Sequence, residues 1–187
     1  MPFDTQALNK QRQNLADYDE IWLFGYGSLI YKVDFEYEAS EFAYIENYAR
    51  RFWQGSHDHR GTPDNPGRVL TLIPEKSARC FGRAFKVSHD VFAHLDHREK
   101  NGYLRDEIAI QLTNNRVVCG LVYIASPDNA AYLGEASISS IAKQIFNSTG
   151  PSGKNRDYVY QLAHALREHN ETDEHVFAIE QALIAME

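Results

Sequence analysis

Cysteine is scarce in this chain, and basic blocks, long apolar runs, repeats and low-complexity tracts are missing. Two cysteines in 187 residues, Cys80 and Cys119, exclude a disulfide-stapled scaffold. Each lies within an apolar strand-like run, so both read as small buried hydrophobes rather than as a disulfide or a catalytic thiol. No apolar stretch approaches the ~20 residues that a membrane-spanning helix needs. The opening "MPFDTQALNKQRQNLADYDE" lacks the charged-then-apolar order of a secretion signal. The expectation is a cytoplasmic protein with no membrane partner. With a formal net charge of -7 and both signs mixed along the chain, a nucleic-acid partner is excluded as well. A small molecule is the expected partner, and nothing in the pattern fixes an oligomeric state.

What is present is globular composition, 43% hydrophobic and 24% charged, on a length that suits one domain spanning residues 1–187. Residues 1–20 read as an N-terminal extension, with helical character over 4–18. Strand-like runs follow at Ile21–Gly25, Phe42–Trp53, Arg68–Ile73, Arg79–Val87, Glu107–Leu112 and Arg116–Ala125. Alternation of Ile108, Ile110 and Leu112 is the period of a half-buried strand, and "TNN" supplies a turn after it. From Ser137 the period becomes helical in "SISSIAKQIFNS", "RDYVYQLAHALREH" and "DEHVFAIEQALIAM", with Ser and Asp placed as N-caps. Strands first and helices later predict an α+β fold. The strands form an antiparallel meander without edge-protecting charges, able to close into a small antiparallel or mixed barrel with flanking helices.

Two segments carry candidate chemistry. In "WLFGYGSLIY", Trp22–Tyr31, a strand runs into Gly-Tyr-Gly-Ser-Leu. Glycines there permit close backbone approach and positive φ, so that N–H groups can converge on an anion or a developing oxyanion. The same composition suits a purely structural turn. It is not a dinucleotide loop, because Ile30 stands where the third glycine belongs. Ser28 is not an esterase nucleophile either, because Tyr26 and Ile30 occupy the flanking glycine positions.

The second segment, "SHDVFAHLDHREKNGY", Ser88–Tyr103, reads as a helix capped by Ser88 and ended by Asn101 and Gly102. Phe92, Leu95 and Glu99 share one face, whereas Arg98 and Lys100 point elsewhere. A carboxylate on an apolar stripe is either a general base whose pKa burial raises, or a structural group bonded to backbone or paired with Arg51 or Arg60.

Tyr103 and Tyr158 are secondary candidates for hydroxyl contacts to substrate, with amphipathic packing as the alternative. "HDHR", His57–Arg60, lacks further ligands at metal-binding spacing and reads as a polar turn. "GPSGKN", Gly150–Asn155, lacks the phosphate-loop spacing and reads as a helix-linking turn. His164, His169 and His175 fall on helical scaffold.

Several long motifs then carry a resemblance. "FGYGSLIYKVDF", "YARRFWQGSHDHRGTPDNPGRVLTL", "LDHREKNGY", "YLG", "IAKQIFNSTGPSGKNRDYV" and "DEHVFAIE" occur in order across residues 22 to about 180. With them the chain closely resembles the ChaC-like γ-glutamylcyclotransferases, in their glutathione-specific branch. The resemblance implies a small β-barrel with flanking helices. It implies cleavage of reduced glutathione to 5-oxoproline and cysteinylglycine without a metal or organic cofactor. It assigns binding of the γ-glutamyl moiety to Gly25, Tyr26, Gly27, Ser28, Leu29 and Ile30, and general acid/base work to Glu99. The motifs address only the γ-glutamyl half, so cyclotransfer from other γ-glutamyl amino acids or amines stays open. So does a non-catalytic role in cation-transport regulation, which the family's older label implies.

Overall fold

The computed structural model describes residues 4–187, so the first three residues of the expected N-terminal extension lie outside the described residues. In chain order the main elements are α1 (Gln6–Arg12), β1 (Ile21–Gly25), β2 (Ala39–Ser56), β3 (Gly67–Val87), α2 (Val91–Arg98), β4 (Tyr103–Gln111), β5 (Val117–Ala125) and α3 (Ile138–Phe146). The two-residue strands β6 (Thr149–Gly150) and β7 (Gly153–Lys154) follow, then α4 (Asn155–Glu168) and α5 (Glu174–Ile184).

Five strands close a barrel in the order β1-β3-β2-β4-β5. The α+β barrel is as expected, but a pure antiparallel meander is not what forms. β1 runs antiparallel to β3 and parallel to β5, with Leu23 opposite Leu121, so the barrel is mixed. Every residue of β1 is buried, which explains its unbroken apolar run. Leu23, Phe85, Leu121 and Tyr123 share a core cluster with Phe92 and Leu95 of α2, and this packing seats that helix. Burying each such side chain is worth about 1.5–3 kcal/mol.

Two expected strands, "RVLTLI" and "RCFGRAFKV", are halves of the single β3, 21 residues long. Pro74 and the polar residues after it look like a break. Instead the strand continues through an exposed stretch, where Ser77 and Asn47 both take positive φ and the Ser77 N–H donates to Asn47 Oδ1 at 3.0 Å. The alternation in β4 is as expected, with Ile110 and Leu112 buried, and "TNN" forms a 3-10 turn with Asn114 and Asn115 at positive φ. Cys80 is buried, but Cys119 is exposed. It sits among the first residues of β5, where the strand has not yet come under cover, so an apolar run alone overstated its burial.

The described chain divides into two compact units. The first holds residues up to Ala49 together with Leu72–Ala130, and the second holds Arg50–Thr71 together with Ala131–Glu187. In the second, Ile141, Ile145, Leu162, Leu166, Val176, Ile179 and Leu183 form the helical core. Ser137 and Asp173 cap α3 and α5 through bonds from the Ser140 and Val176 N–H groups, as their sequence positions predict. The "GPSGKN" segment is a turn between α3 and α4, built on the β6–β7 hairpin. Among the described residues, no helix is long and apolar enough to cross a membrane.

Candidate active site

The glycine segment leaves β1 and folds into a 3-10 turn over Ser28–Ile30. Neither Gly25 nor Gly27 has positive φ, which corrects one reason given for them. Gly25 is required by close approach instead: a Cβ there would lie 2.5 Å from the Cβ of Leu29. The chain thus doubles back on itself, with the Ile30 N–H donating to the Gly27 carbonyl at 3.0 Å and the Lys32 N–H to that of Ser28 at 2.7 Å. Tyr26 and Ile30 are buried, Ser28 and Leu29 half-buried. Tyr26 points inward and its hydroxyl donates to the Tyr123 carbonyl at 2.6 Å, while Leu29 packs on the core cluster of β1 and α2.

The Glu99 helix is shorter than the sequence suggests. α2 is eight residues long, the Ser88 side chain does not cap it, and it ends at Arg98 with Glu99 as C-cap at φ -96°, ψ 18°. The Glu99 N–H still bonds the Leu95 carbonyl at 2.8 Å, after which the backbone turns away through Gly102 at φ 95°. A β-carbon disfavours that conformation, so glycine is required there. Glu99 is therefore not one residue in a buried mid-helix stripe. Its side chain is 24% exposed, at the edge of the apolar face.

Arg98 makes the second correction. Read as pointing elsewhere, it joins the candidate residues. Its guanidinium donates to Ser28 Oγ at 3.1 Å and to Asp34 Oδ1 at 2.8 Å, and its Nε lies 3.5 Å from Glu99 Oε1. Consecutive helical side chains diverge by about 100°, but the helix has stopped, and the cap geometry lets neighbours meet. Glu99 thus has Arg98 beside it, a partner not considered from sequence. Arg98 and Asp34 were missed as site residues. The available signal was a fork-shaped donor next to the one carboxylate singled out.

Beneath this surface lies a buried polar chain. The Tyr123 hydroxyl donates to Asp96 Oδ1 at 2.6 Å, and Asp96 Oδ2 lies 3.5 Å from Arg105 Nη1. Burial, then the bond to Asp96, pushes the Tyr123 phenol far above its ordinary range, so it remains a donor at any physiological pH. Asp96 stands one turn before Glu99 on α2, and Tyr123 receives Tyr26, so loop and helix are tied from below as well.

Tyr103 opens β4, half-buried against the core cluster. Tyr158 lies in the second unit, edge-on to Phe52 at 5.8 Å between ring centres with the Arg60 guanidinium 5.6 Å from its ring. His57–Arg60 form a turn in which the Arg60 N–H donates to Ser56 Oγ at 2.9 Å. Among the described residues, no three His, Cys, Asp or Glu side chains are grouped to hold a metal ion.

The family model for ChaC-like proteins matches residues 21–185. The chain belongs to the ChaC-like protein family. It is 42% identical over 186 residues to glutathione-specific gamma-glutamylcyclotransferase 1 of Danio rerio, covering 94% of this chain and 95% of that one. It is 44% identical over 168 residues to gamma-glutamylcyclotransferase 2-3 of Arabidopsis thaliana, covering 83% and 84%. In fold it is similar to the crystal structure of a yeast gamma-glutamyl cyclotransferase specific to glutathione. The TM-score there is 0.83 at 32% identity, over 90% of this chain and 97% of that one. The ChaC-like match includes the glycine loop, Arg98 and Glu99, and begins after α1.

Proposed function

We propose that this ChaC-like protein is a γ-glutamylcyclotransferase that cleaves reduced glutathione to 5-oxoproline and cysteinylglycine. The observation that carries the reading is the Arg98 fork, which holds Ser28 of the glycine turn and the Glu99 carboxylate in one constellation. The names of the Danio and yeast relatives support glutathione as the substrate.

The chemistry asks for little else. The substrate's α-amine attacks its own γ-carbonyl carbon. The new N–C bond closes a five-membered ring, and the carbonyl electrons move to oxygen. Collapse of that intermediate breaks the bond to the cysteinyl nitrogen. Glu99 accepts the proton leaving the attacking amine and delivers it to the departing nitrogen, so no water is consumed. Intramolecular attack already carries a proximity advantage of about 7–11 kcal/mol when orientation is right. The glycine turn supplies that orientation, with its opening N–H groups holding the substrate carboxylate or the developing oxyanion. Gly25–Ile30 form this cradle, and Tyr103 is a secondary contact. A reducing, cytoplasmic setting, where glutathione is kept in its reduced form, suits this substrate.

Glutathione acetylated on its α-amine tests the mechanism, since acylation removes the attacking lone pair. We expect 5-oxoproline from glutathione and no cysteinylglycine from the acetylated form. Release of cysteinylglycine from the latter means hydrolysis and overturns the reading. Parallel assays with γ-glutamylalanine fix how far the leaving group matters.

A further inference from the structure

The N-terminal segment lies outside the matched family region, yet it grips the part of the chain that carries Glu99. α1 has seven residues, too few to be stable alone, and only Asn9 on it is buried. With Leu8 exposed, it does not dock by an apolar face. It docks by hydrogen bonds. The Thr5 N–H donates to the Lys100 carbonyl at 2.8 Å. The Thr5 hydroxyl lies 2.8 Å from the Tyr103 carbonyl, 3.0 Å from that of Lys100 and 3.4 Å from that of Glu99. Asn9, wholly buried, donates from Nδ2 to the Tyr103 carbonyl at 3.0 Å and accepts the Arg105 N–H on Oδ1 at 2.9 Å. Its own carbonyl receives the Arg105 guanidinium, which faces Asp96 on its other side.

These bonds fall on the backbone immediately after Glu99. Beyond the last link to the helix, from the Lys100 N–H to the His97 carbonyl at 3.4 Å, that backbone turns sharply at Gly102. The carbonyls of Lys100 and Tyr103, between α2 and the ladder of β4, need hydrogen-bond partners, and Thr5 and Asn9 provide them. The second route, Asn9 to Arg105 to Asp96, reaches α2 one turn before Glu99 and continues through Tyr123 to Tyr26 of the glycine loop.

We propose that Thr5 and Asn9 are positioning residues that set the Glu99 carboxylate against the glycine loop. The proposal rests on the reading of Glu99 as acid/base. Without these residues the turn after α2 relaxes, and the carboxylate loses alignment with the reacting nitrogen while the substrate cradle stays in place. Misplacement by about 1 Å can cost on the order of 10²-fold in rate. The expected signature is therefore a fall in kcat with KM nearly unchanged.

The test uses the full chain with Thr5→Val, Thr5→Ser, Asn9→Ala and Glu99→Gln, assayed with glutathione well below each variant's melting temperature. Amide hydrogen exchange is followed over residues 99–105. We expect Thr5→Val and Asn9→Ala to lower kcat about 10- to 100-fold with KM within about twofold, and exchange at Gly102 and Arg105 to quicken. Thr5→Ser, which keeps the hydroxyl, should restore most of kcat. If Asn9→Ala does not fold, the Thr5 pair decides alone. Wild-type kcat in Thr5→Val beside an inactive Glu99→Gln overturns the positioning role, as does equal loss in Thr5→Ser and Thr5→Val. An active, folded Glu99→Gln instead overturns the acid/base reading on which the proposal stands.

Discussion

The guanidinium of Arg98 donates to the hydroxyl of Ser28 across 3.1 Å, joining the end of α2 to the glycine turn. The same side chain reaches Asp34 and stands beside Glu99, so one planar fork serves three groups. Lysine, a point charge on a flexible stem, cannot hold them at once.

Arg98→Lys should therefore lose much of what Arg98→Gln loses. Hydrogen bonds to a charged group are worth about 1.5–3 kcal/mol, so kcat/KM should fall roughly 10- to 100-fold. Steady-state glutathione cleavage measures this. Full activity in folded Arg98→Gln would remove the fork from the site.

Ser28 and Glu99 should part in magnitude. Glu99→Gln keeps shape but cannot take a proton, and general acid–base help is typically worth about 10²–10⁴ in rate. Ser28→Ala removes one acceptor for Arg98 and should cost only about 1–3 kcal/mol. Mass spectrometry of enzyme quenched in turnover should find no γ-glutamyl adduct. An adduct on Ser28, with Ser28→Ala as inactive as Glu99→Gln, would indicate a serine acyl-transfer enzyme.

Gly25→Ala places a methyl group 2.5 Å from the Leu29 Cβ, and neither backbone can give way without opening the turn. Overpacking of this kind costs about 1–3 kcal/mol. The melting temperature should drop and KM for glutathione should rise, because the cradle itself is pushed apart. An unchanged KM would show that the turn does not touch substrate.

Stability should depend on acid through His175. Its Nε2 accepts the Phe52 N–H at 2.9 Å. Burial, with Arg51 nearby, lowers its pKa from 6.5 to about 4. The neutral ring belongs to the folded state, so the contribution is complete above pH 6.5. It is lost as pH falls toward 4, where the unfolded chain is already protonated, and amounts to at most about 3 kcal/mol. Urea unfolding between pH 7 and 4 should show this slope, and His175→Gln should flatten it. An unaltered slope in that variant would assign the acid sensitivity to other groups.

Much of the site was legible in the sequence because its parts are local. Gly25 is set by a contact only four residues away, and Glu99 stands out as a carboxylate in register with Phe92 and Leu95. What escaped depended on partners distant in the chain. Helix α2 stops at Arg98, and Thr5, 95 residues earlier, holds the Lys100 carbonyl beyond it, which no periodicity records. The apparent break at Pro74 hid one continuous β3, since the compensating left-handed residue, Asn47, lies on the neighbouring strand. Cys119 looked buried because a strand's composition does not say where its cover begins.

The stopping point of α2 also bears on how one carboxylate can serve two nitrogens. Inside a helix, the preceding turn denies a side chain one of its three χ1 wells. At the end of α2 two wells remain open to Glu99, and moving between them breaks no ladder bond, because the bond to the Leu95 carbonyl is made by its backbone amide. With its backbone held and its carboxylate beside Arg98, Glu99 is placed, in the proposed reaction, to collect a proton at the attacking amine and carry it to the leaving one without a second acid.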